Sequence, residues 1–407
     1  MSRRIVRLRK SVLSLALGAC LSTLAIAPAF AQSAMGAVAG RANAGDQITL
    51  VNTATGATRS VTVSTDGSYR LSQLPIGDYT LRVVRGGREV GEPIAVNVAL
   101  GGTTSVNLGG DGDVVNLDTI EVVGNRVINR VDVYSTESAT NITREEWARL
   151  PVEQSLTSVA LLAPGVIGGN SGLGGISFGG SSVAENSIFI NGLNVTDFYR
   201  RQSFSAAPFA FFEEFQVKTG GYSVEFGRST GGVINAVTRS GGNELKGGLQ
   251  LTFEPSSWRA DGKDHYYDDG SVNVRSSHDR QSFTKLNGWA SGPLVKDRLF
   301  LFAMYEQRDN TTRFTNASGS TWSEREADNG FWGTKLDWQV NDNHLLELLA
   351  FSDKGDSDTQ SWSYDFDSST RADGVPNQQN AESGGRSGSL TYTGHFGDNF
   401  MAKAMYG

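Results

Sequence analysis

The sequence predicts a mainly β protein. A small β-sandwich comes first, then a mixed α/β domain, then the first strands of a transmembrane antiparallel β-barrel. Three observations carry this. Turn signals recur about every ten residues over 35–108. Glycine-punctuated strands mix with two helical signals over 135–243. From residue 244 onward apolar and polar residues alternate, and long polar connections alternate with short ones.

Composition sets the outer bounds. The 407 residues include 49 Gly but only 9 Pro, so the glycine excess points to loops and tight turns rather than a Pro/Gly linker. The net charge of -7 gives no footprint for a polyanion, and no nucleic-acid partner is expected. Arg3, Arg4, Arg7, Arg9 and Lys10 precede a mostly apolar run over 12–27, and Ala29-Phe30-Ala31 forms a small-x-small site before Gln32. Residues 1–31 therefore read as a signal peptide. A membrane anchor is the alternative, but the run is short and is interrupted by Ser14, Ser22 and Thr23. The stretch LGAC at 17–20 faintly matches a lipoprotein signal, yet Gly18 fits poorly and the apolar run continues past Cys20. Cys20 is the single cysteine, so the mature chain has no thiol and no disulfide. No later apolar run approaches the ~20 residues of a membrane helix, which leaves strands as the way to span.

Residues 32–108 are the sandwich. ITLVNTATGATRSVTVSTDGSYRLSQLPIGDYTLRVV alternates strands with turns at 52–56, 66–67 and 76–78. It contains no His and no poised carboxylate pair, so a structural or partner-binding role follows. Residues 109–134 form a linker opened by GGDG. Inside it lies LDTIEVVG, with Leu117, Asp118, Thr119, Ile120, Glu121, Val122 and Val123. The segment is β-prone, and its flanks offer no evident hairpin partner. A strand with free backbone groups is a hazard unless something is meant to pair with it.

Residues 135–243 mix α and β. Thr143-Arg144-Glu145-Glu146 is a capping box opening a short helix that stops near Leu150-Pro151, and a second helix is expected over 152–162. Asn191-Gly192, between SIFI and LNV, is a two-residue hairpin turn. Gly220, Gly221, Gly227, Gly231, Gly232, Gly241 and Gly242 punctuate FQVKTGGYSVEFGRSTGGVINAVTRSGGN, where positive φ or close backbone approach is expected.

Residues 244–407 supply about seven strands, near 245–255, 281–291, 298–308, 331–340, 344–353, 388–396 and 400–407. The connections 256–280, 309–330 and 354–387 are long and polar, whereas 292–297, 341–343 and 397–399 are short. Outer-membrane barrels sort their loops this way, with long ones outside. Plugged transporter barrels have about 22 strands. The seven are expected to form an incomplete, curved sheet that cannot close alone, since an open edge is not viable in hydrocarbon.

Several stretches suggest chemistry without supplying it. ADGKDHYYDDG at 260–270 concentrates Asp261, Asp264, His265, Asp268 and Asp269, but its spacing matches no EF-hand; a solvated loop is preferred over a calcium site. The four His show no zinc spacing. GLGGISFGG lacks the Lys-Ser/Thr of a phosphate loop, and Ser171 and Ser177 lack a nucleophile-elbow context. Neither an enzyme activity nor a cofactor is expected.

Three motifs carry a family resemblance. NTATG, TDGSYRL and LPIGDYTLRV resemble the carboxypeptidase-regulatory-like domain, although the loop at 44–47 lacks its usual Pro. SIFINGLNVTD and GGYSVEFGRSTGGVINAVTRSGGNELKGGL resemble the closing half of the plug domain of TonB-dependent outer-membrane receptors, and LDTIEVVG resembles a TonB box. The leading sandwich with NGLNVTD and SGPLVKDRLFLFAMYEQ resembles the Oar-like subgroup. The resemblance implies outer-membrane lipid around the barrel, a periplasmic N-terminal domain, and an unknown external substrate imported or sensed. It also implies pairing of residues 117–123 with the C-terminal domain of TonB by β-augmentation. Loops 171–182 and 194–204 would form the plug apex. Plug-to-wall contacts would be polar and hydrated, with Glu225, Arg228 and Arg239 among them. The rival readings are a secreted or surface β-sandwich adhesin, which needs no TonB box, and a hydrolase, which needs a nucleophile or metal set.

Overall fold

Alternating burial builds the first unit of the computed structural model, which describes residues 34–108, 120–123, 126–129, 137–149, 156–169, 175–197, 206–223, 226–227, 229–397 and 400–407. The signal segment, the GGDG stretch, Leu117, Asp118, Thr119, Glu225, Arg228 and parts of both apex loops lie outside those residues. Seven strands form the sandwich: β1 (Met35–Arg41), β2 (Gln47–Asn52), β3 (Thr58–Thr62), β4 (Ser68–Pro75), β5 (Gly77–Arg85), β6 (Arg88–Val98) and β7 (Thr103–Ser105). One sheet has the order β4-β1-β7; the other begins β3-β2-β5-β6. Ile48, Leu50, Leu81, Val83, Val96 and Val98 point into one dry core with Val38, Tyr69 and Leu71. Period-2 alternation explains this, because every second side chain faces the opposite sheet.

The second sheet does not stop at β6. Two further strands, β8 (Ile120–Val123) and β9 (Arg126–Asn129), pair antiparallel with each other, and β9 adds parallel to β6 through Ala95↔Arg126 and Val96↔Val127. The expectation of no hairpin partner is therefore corrected. The partner is VIN with its preceding Arg, separated by Gly124-Asn125. Its polar Arg126 and Asn129 hid the β signal that Val127 and Ile128 carry.

The mixed domain has a five-stranded sheet of order β10-β15-β16-β13-β14. Its members are β10 (Ser138–Thr143), β13 (Ser187–Ile190), β14 (Leu193–Asn194), β15 (Phe212–Gly220) and β16 (Val233–Thr238), and a separate hairpin joins β11 (Val166–Gly168) to β12 (Ile176–Phe178). Helices α1 (Arg144–Trp147) and α2 (Leu156–Ala160) cover it. α1 is shorter than expected; α2 ends at Ala160, and residues 150–155, which include the start of the expected second helix, lie outside the described set. The capping box at Thr143 is formed: its N–H donates to Glu146 Oε2 at 2.9 Å, and the Glu146 N–H donates to Thr143 Oγ1 at 3.4 Å. Trp147 closes the turn by packing on Phe209 and Phe215.

The third unit is an 11-stranded antiparallel sheet. Its strands are β17 (Lys246–Glu254), β20 (Arg280–Val295), β21 (Leu299–Thr315), β22 (Thr321–Asp328), β23 (Phe331–Asn341), β24 (His344–Ser352), β25 (Gly355–Asp365), β26 (Thr370–Arg371), β27 (Asn377–Ser383), β28 (Arg386–Phe396) and β29 (Phe400–Tyr406). A small hairpin, β18 (His265–Tyr266) with β19 (Val272–Val274), lies between the first two. β21 pairs with β23 along its first half and with β22 along its second, so β22 and β23 run as one broken strand. β24 with β25, and β27 with β28, repeat the arrangement.

The breaks fall at 329–330, 353–354 and 384–385, rich in Gly, Asn and Asp. A Cβ on Gly355 would lie 2.2 Å from Asn329 Oδ1, and one on Gly384 would lie 2.1 Å from the Asp353 carbonyl, so these crossings need glycine. The expected irregular loops 309–330 and 354–387 are thus largely strand. Their ladders carry polar residues on both faces, and β27 is exposed throughout, so no apolar alternation marks them. Among the described residues β17 pairs only with β20 and β29 only with β28, which leaves the sheet open.

Candidate functional site

Three features are candidates: the hairpin added to the sandwich sheet, and two that meet at the mixed domain, its seam against the large sheet and its joint to the sandwich. The hairpin comes first. Ile120, Glu121, Val122 and Val123 form the edge strand of a six-stranded sheet, with β9 on one side and no described neighbour on the other. In an antiparallel pair alternate residues aim their N–H groups away from the partner. Half the donors of β8 therefore face an open edge.

The turn residues of the mixed domain have distinct reasons. Asn191 (φ 50°) and Gly192 (φ 85°) both take left-handed conformations, as a two-residue hairpin loop requires. Asn191 also locks the sheet: its Nδ2 donates to Thr238 Oγ1 at 2.7 Å, and its Oδ1 accepts the Thr238 N–H at 2.8 Å. Gly221 needs its positive φ of 68°. Gly231 and Gly232 are required for close approach instead, because Cβ atoms would lie 2.4 Å from Asn186 Oδ1 and 2.1 Å from the Phe178 ring. Gly220 shows neither demand. Gly227 is an exposed turn residue.

The seam extends an expectation. The resemblance implied polar, hydrated contacts between plug and wall; polar contacts are present, Arg239 among them, but they surround a dry aromatic anchor. Phe211, 0% exposed, packs on Phe331, Phe351 and Phe302 of the large sheet with centroids 5.2, 5.8 and 6.2 Å away. Gly333 makes room: a Cβ there would lie 2.4 Å from the Phe211 ring. Polar contacts ring the anchor. Arg239 stacks its guanidinium 3.6 Å above the Trp289 ring, and burial, then the neighbouring Arg144 charge, hold its pKa down at about 10. Lys335 Nζ donates to Ser240 Oγ at 2.8 Å and pairs with Asp337 and Glu347 at 3.1 and 3.0 Å. At the far end Asp353 accepts the Ala206 N–H at 2.8 Å, and Arg308 donates to the Ala206 carbonyl at 2.8 Å.

The joint to the sandwich is centred on Leu100, which follows β6. Its N–H donates to both oxygens of Glu214 at 3.1 Å. Its carbonyl accepts from Gln216 Nε2 at 2.7 Å and from Asn141 Nδ2 at 2.9 Å. Gly101 has φ 63° and a Cβ there would lie 2.6 Å from the Gln216 amide, so only glycine fits. Composition did not single out these residues, since Glu214 and Gln216 sit in an ordinary strand pattern.

Burial raises the Glu214 carboxyl to about 7; bonds from Leu100 and Asn141 oppose the rise, and Glu146 and Glu213 add to it. The folded state therefore binds this proton more tightly than the unfolded chain. Stability from this group is greatest below about pH 4.5, and falls as pH rises through the window from 4.5 to about 7. The loss by pH 8 is about 3 kcal/mol. Glu214→Gln keeps an acceptor without the charge. Melting curves of the detergent-solubilised protein between pH 5 and 8 are expected to flatten in this variant. An unchanged pH slope would remove Glu214 as its source.

Among the described residues no group of three or more His, Cys, Asp or Glu is placed to hold a metal ion. In the acidic stretch, Asp264 accepts backbone N–H groups of Ser276 and Ser277 at 2.8 and 2.9 Å, and Asp269 accepts that of Ser271. These carboxylates organise their own loop.

Comparison with known proteins agrees with this layout. Residues 36–109 match the carboxypeptidase regulatory-like domain family, and residues 132–233 match the TonB-dependent receptor plug domain. The TonB-dependent transporter Oar of Myxococcus xanthus is 33% identical over 271 residues, which cover 64% of this chain and 25% of Oar. The chain thus spans a quarter of that curated relative. Among solved structures, the complex of FpvAI with pyocin S2 aligns at TM-score 0.44 and 16% identity, covering 69% of this chain and 35% of that one. A mutant ferric enterobactin receptor from Pseudomonas aeruginosa in complex with enterobactin aligns at TM-score 0.42 and 15% identity, covering 66% and 40%.

Proposed function

We propose that this chain, whose sandwich and plug are those of an Oar-like TonB-dependent receptor, serves in the outer membrane to bind an external substrate and import it. It is a binding and transport protein, not an enzyme. The single observation that carries the membrane part is the inverted amphipathicity of the large sheet. Leu249 and Leu251 stand 85% and 67% exposed, and Phe253, Leu286, Tyr305, Trp332, Trp338, Leu348 and Leu390 share that outward side. Asn287, Ser291, Glu306, Lys335, Asp337, Thr391 and Thr393 are buried on the inner side. In water the outward apolar side would be costly; beside lipid it becomes the favoured one, while the polar residues lie on the inner side, away from hydrocarbon.

Energy coupling is assigned to the TonB box, residues 117–123. An exposed strand of the periplasmic TonB domain would add to β8 through main-chain bonds, and the pull would rearrange the plug. The sandwich touches the short-turn end of the sheet, which supports a periplasmic position for it. Loops 171–182 and 194–204 are proposed as the apex that meets substrate. The natural gene product is expected in the outer-membrane fraction as a heat-modifiable band, migrating faster before boiling than after. A freely soluble product would favour the adhesin reading instead.

A further inference from the structure

We propose that the N-terminal sandwich is a clamp that ties the plug to the short-turn rim of the barrel wall and thereby restrains the plug from leaving. The inference uses the transport reading for its purpose, but the clamp is built from contacts that stand without it. One jaw is the Leu100 joint, where plug side chains satisfy both backbone groups of a sandwich residue that is 0% exposed. The other jaw is the β2–β3 turn, rigid in itself because Asn52 Oδ1 accepts the N–H groups of Ala54 and Thr55 at 2.9 and 3.0 Å.

That turn meets the rim at Asn243, between plug and first wall strand. The Asn243 N–H donates to the Ala54 carbonyl at 2.8 Å, and its Nδ2 donates to the Thr55 carbonyl at 3.0 Å and to Asp297 Oδ1 at 2.7 Å. Asp297, in the β20–β21 turn at φ 61°, returns its N–H to Asn243 Oδ1 at 2.8 Å. Arg59 on β3 donates to Asn343 Oδ1 in the β23–β24 turn at 2.7 Å. A Cβ on Gly242 would lie 3.0 Å from the Ala54 carbonyl, so this approach is close as well. One rigid body thus bonds to the plug sheet and to two rim turns. Bonds of this kind are individually modest and re-form readily, which suits a restraint that must release and reset.

The test uses the natural gene product in planar bilayers, with ionic conductance followed as urea loosens the plug. Asn243→Ala opens the rim jaw; Asn141→Ala with Gln216→Ala opens the plug jaw. Each is expected to lower the half-conducting urea concentration by about 1 M. A clamp broken at one end is already broken, so the combined variant should conduct at the same urea concentration as the more affected single one. Unchanged thresholds overturn the proposal. So do fully additive shifts, which would mean two independent local losses. TonB capture by the same variants should be native, so a failed clamp and a failed box reading give different results.

Discussion

Phe211→Ala is expected to lower the free energy of unfolding by about 3 to 5 kcal/mol, the largest effect of any single change proposed for this protein. The ring is fully buried, and it contacts plug and wall at once: Phe212 on one side, Phe302, Phe331 and Phe351 on the other. Removing it deletes the transfer energy of the ring and leaves a cavity between two rigid sheets that cannot close on it. Polar seam contacts with a charged partner such as Lys335–Ser240 are worth roughly 1.5 to 3 kcal/mol each, less than the aromatic anchor. Urea unfolding in detergent would measure the loss. Gly333→Ala places a methyl group against the same ring and is also expected to destabilise. In the double variant the clash has no ring to meet, so the combined loss should be less than the sum. A Phe211→Ala loss below about 1 kcal/mol would show that the seam is held elsewhere.

Much of this was legible in the sequence because it rests on local rules. Period-2 alternation marked β17 and β23, because the apolar residues of each share one face. Asn191-Gly192 announced its turn, because few other pairs accept two positive φ angles in succession. The capping box at Thr143 is a matter of spacing alone. The remainder depends on distant partners. β22, β25 and β27 lie where both faces are polar, so no hydrophobic period exists to be read. The pairing of β9 with β6 joins residues about thirty apart in sequence, and parallel addition leaves no turn signal. Glu214, Gln216 and Asn141 acquire their role only when Leu100 is brought to them. Phe211 read as one more aromatic in FAFFEEF; that it would anchor the plug could be known only once Gly333 stood opposite.

The second large effect concerns the edge strand. Proline substituted along β8 should affect capture by the periplasmic TonB domain with a period of two. Ile120→Pro and Glu121→Pro each delete one backbone donor, and successive donors point to opposite edges. One variant takes a bond from the open edge and is expected to lose capture by tenfold or more, about 1.4 kcal/mol. The other disturbs only the pairing with β9, and is expected to keep capture or to raise it by freeing the strand. Recognition through side chains would also be lost on alanine substitution at alternate positions, which recognition through the backbone tolerates. Equal capture of the native protein and both variants would remove residues 117–123 as the TonB-binding element.

The central claim is that this strand is the point where energy enters the molecule. Site-specific photocrosslinking from position 122, in living cells that carry the natural gene product, addresses it most directly. The account predicts a covalent adduct between Val122 and TonB, absent in cells lacking TonB and weakened by whichever proline abolishes capture. A probe at position 122 that crosslinks only to the protein's own sandwich, with TonB present and the membrane energised, would contradict it.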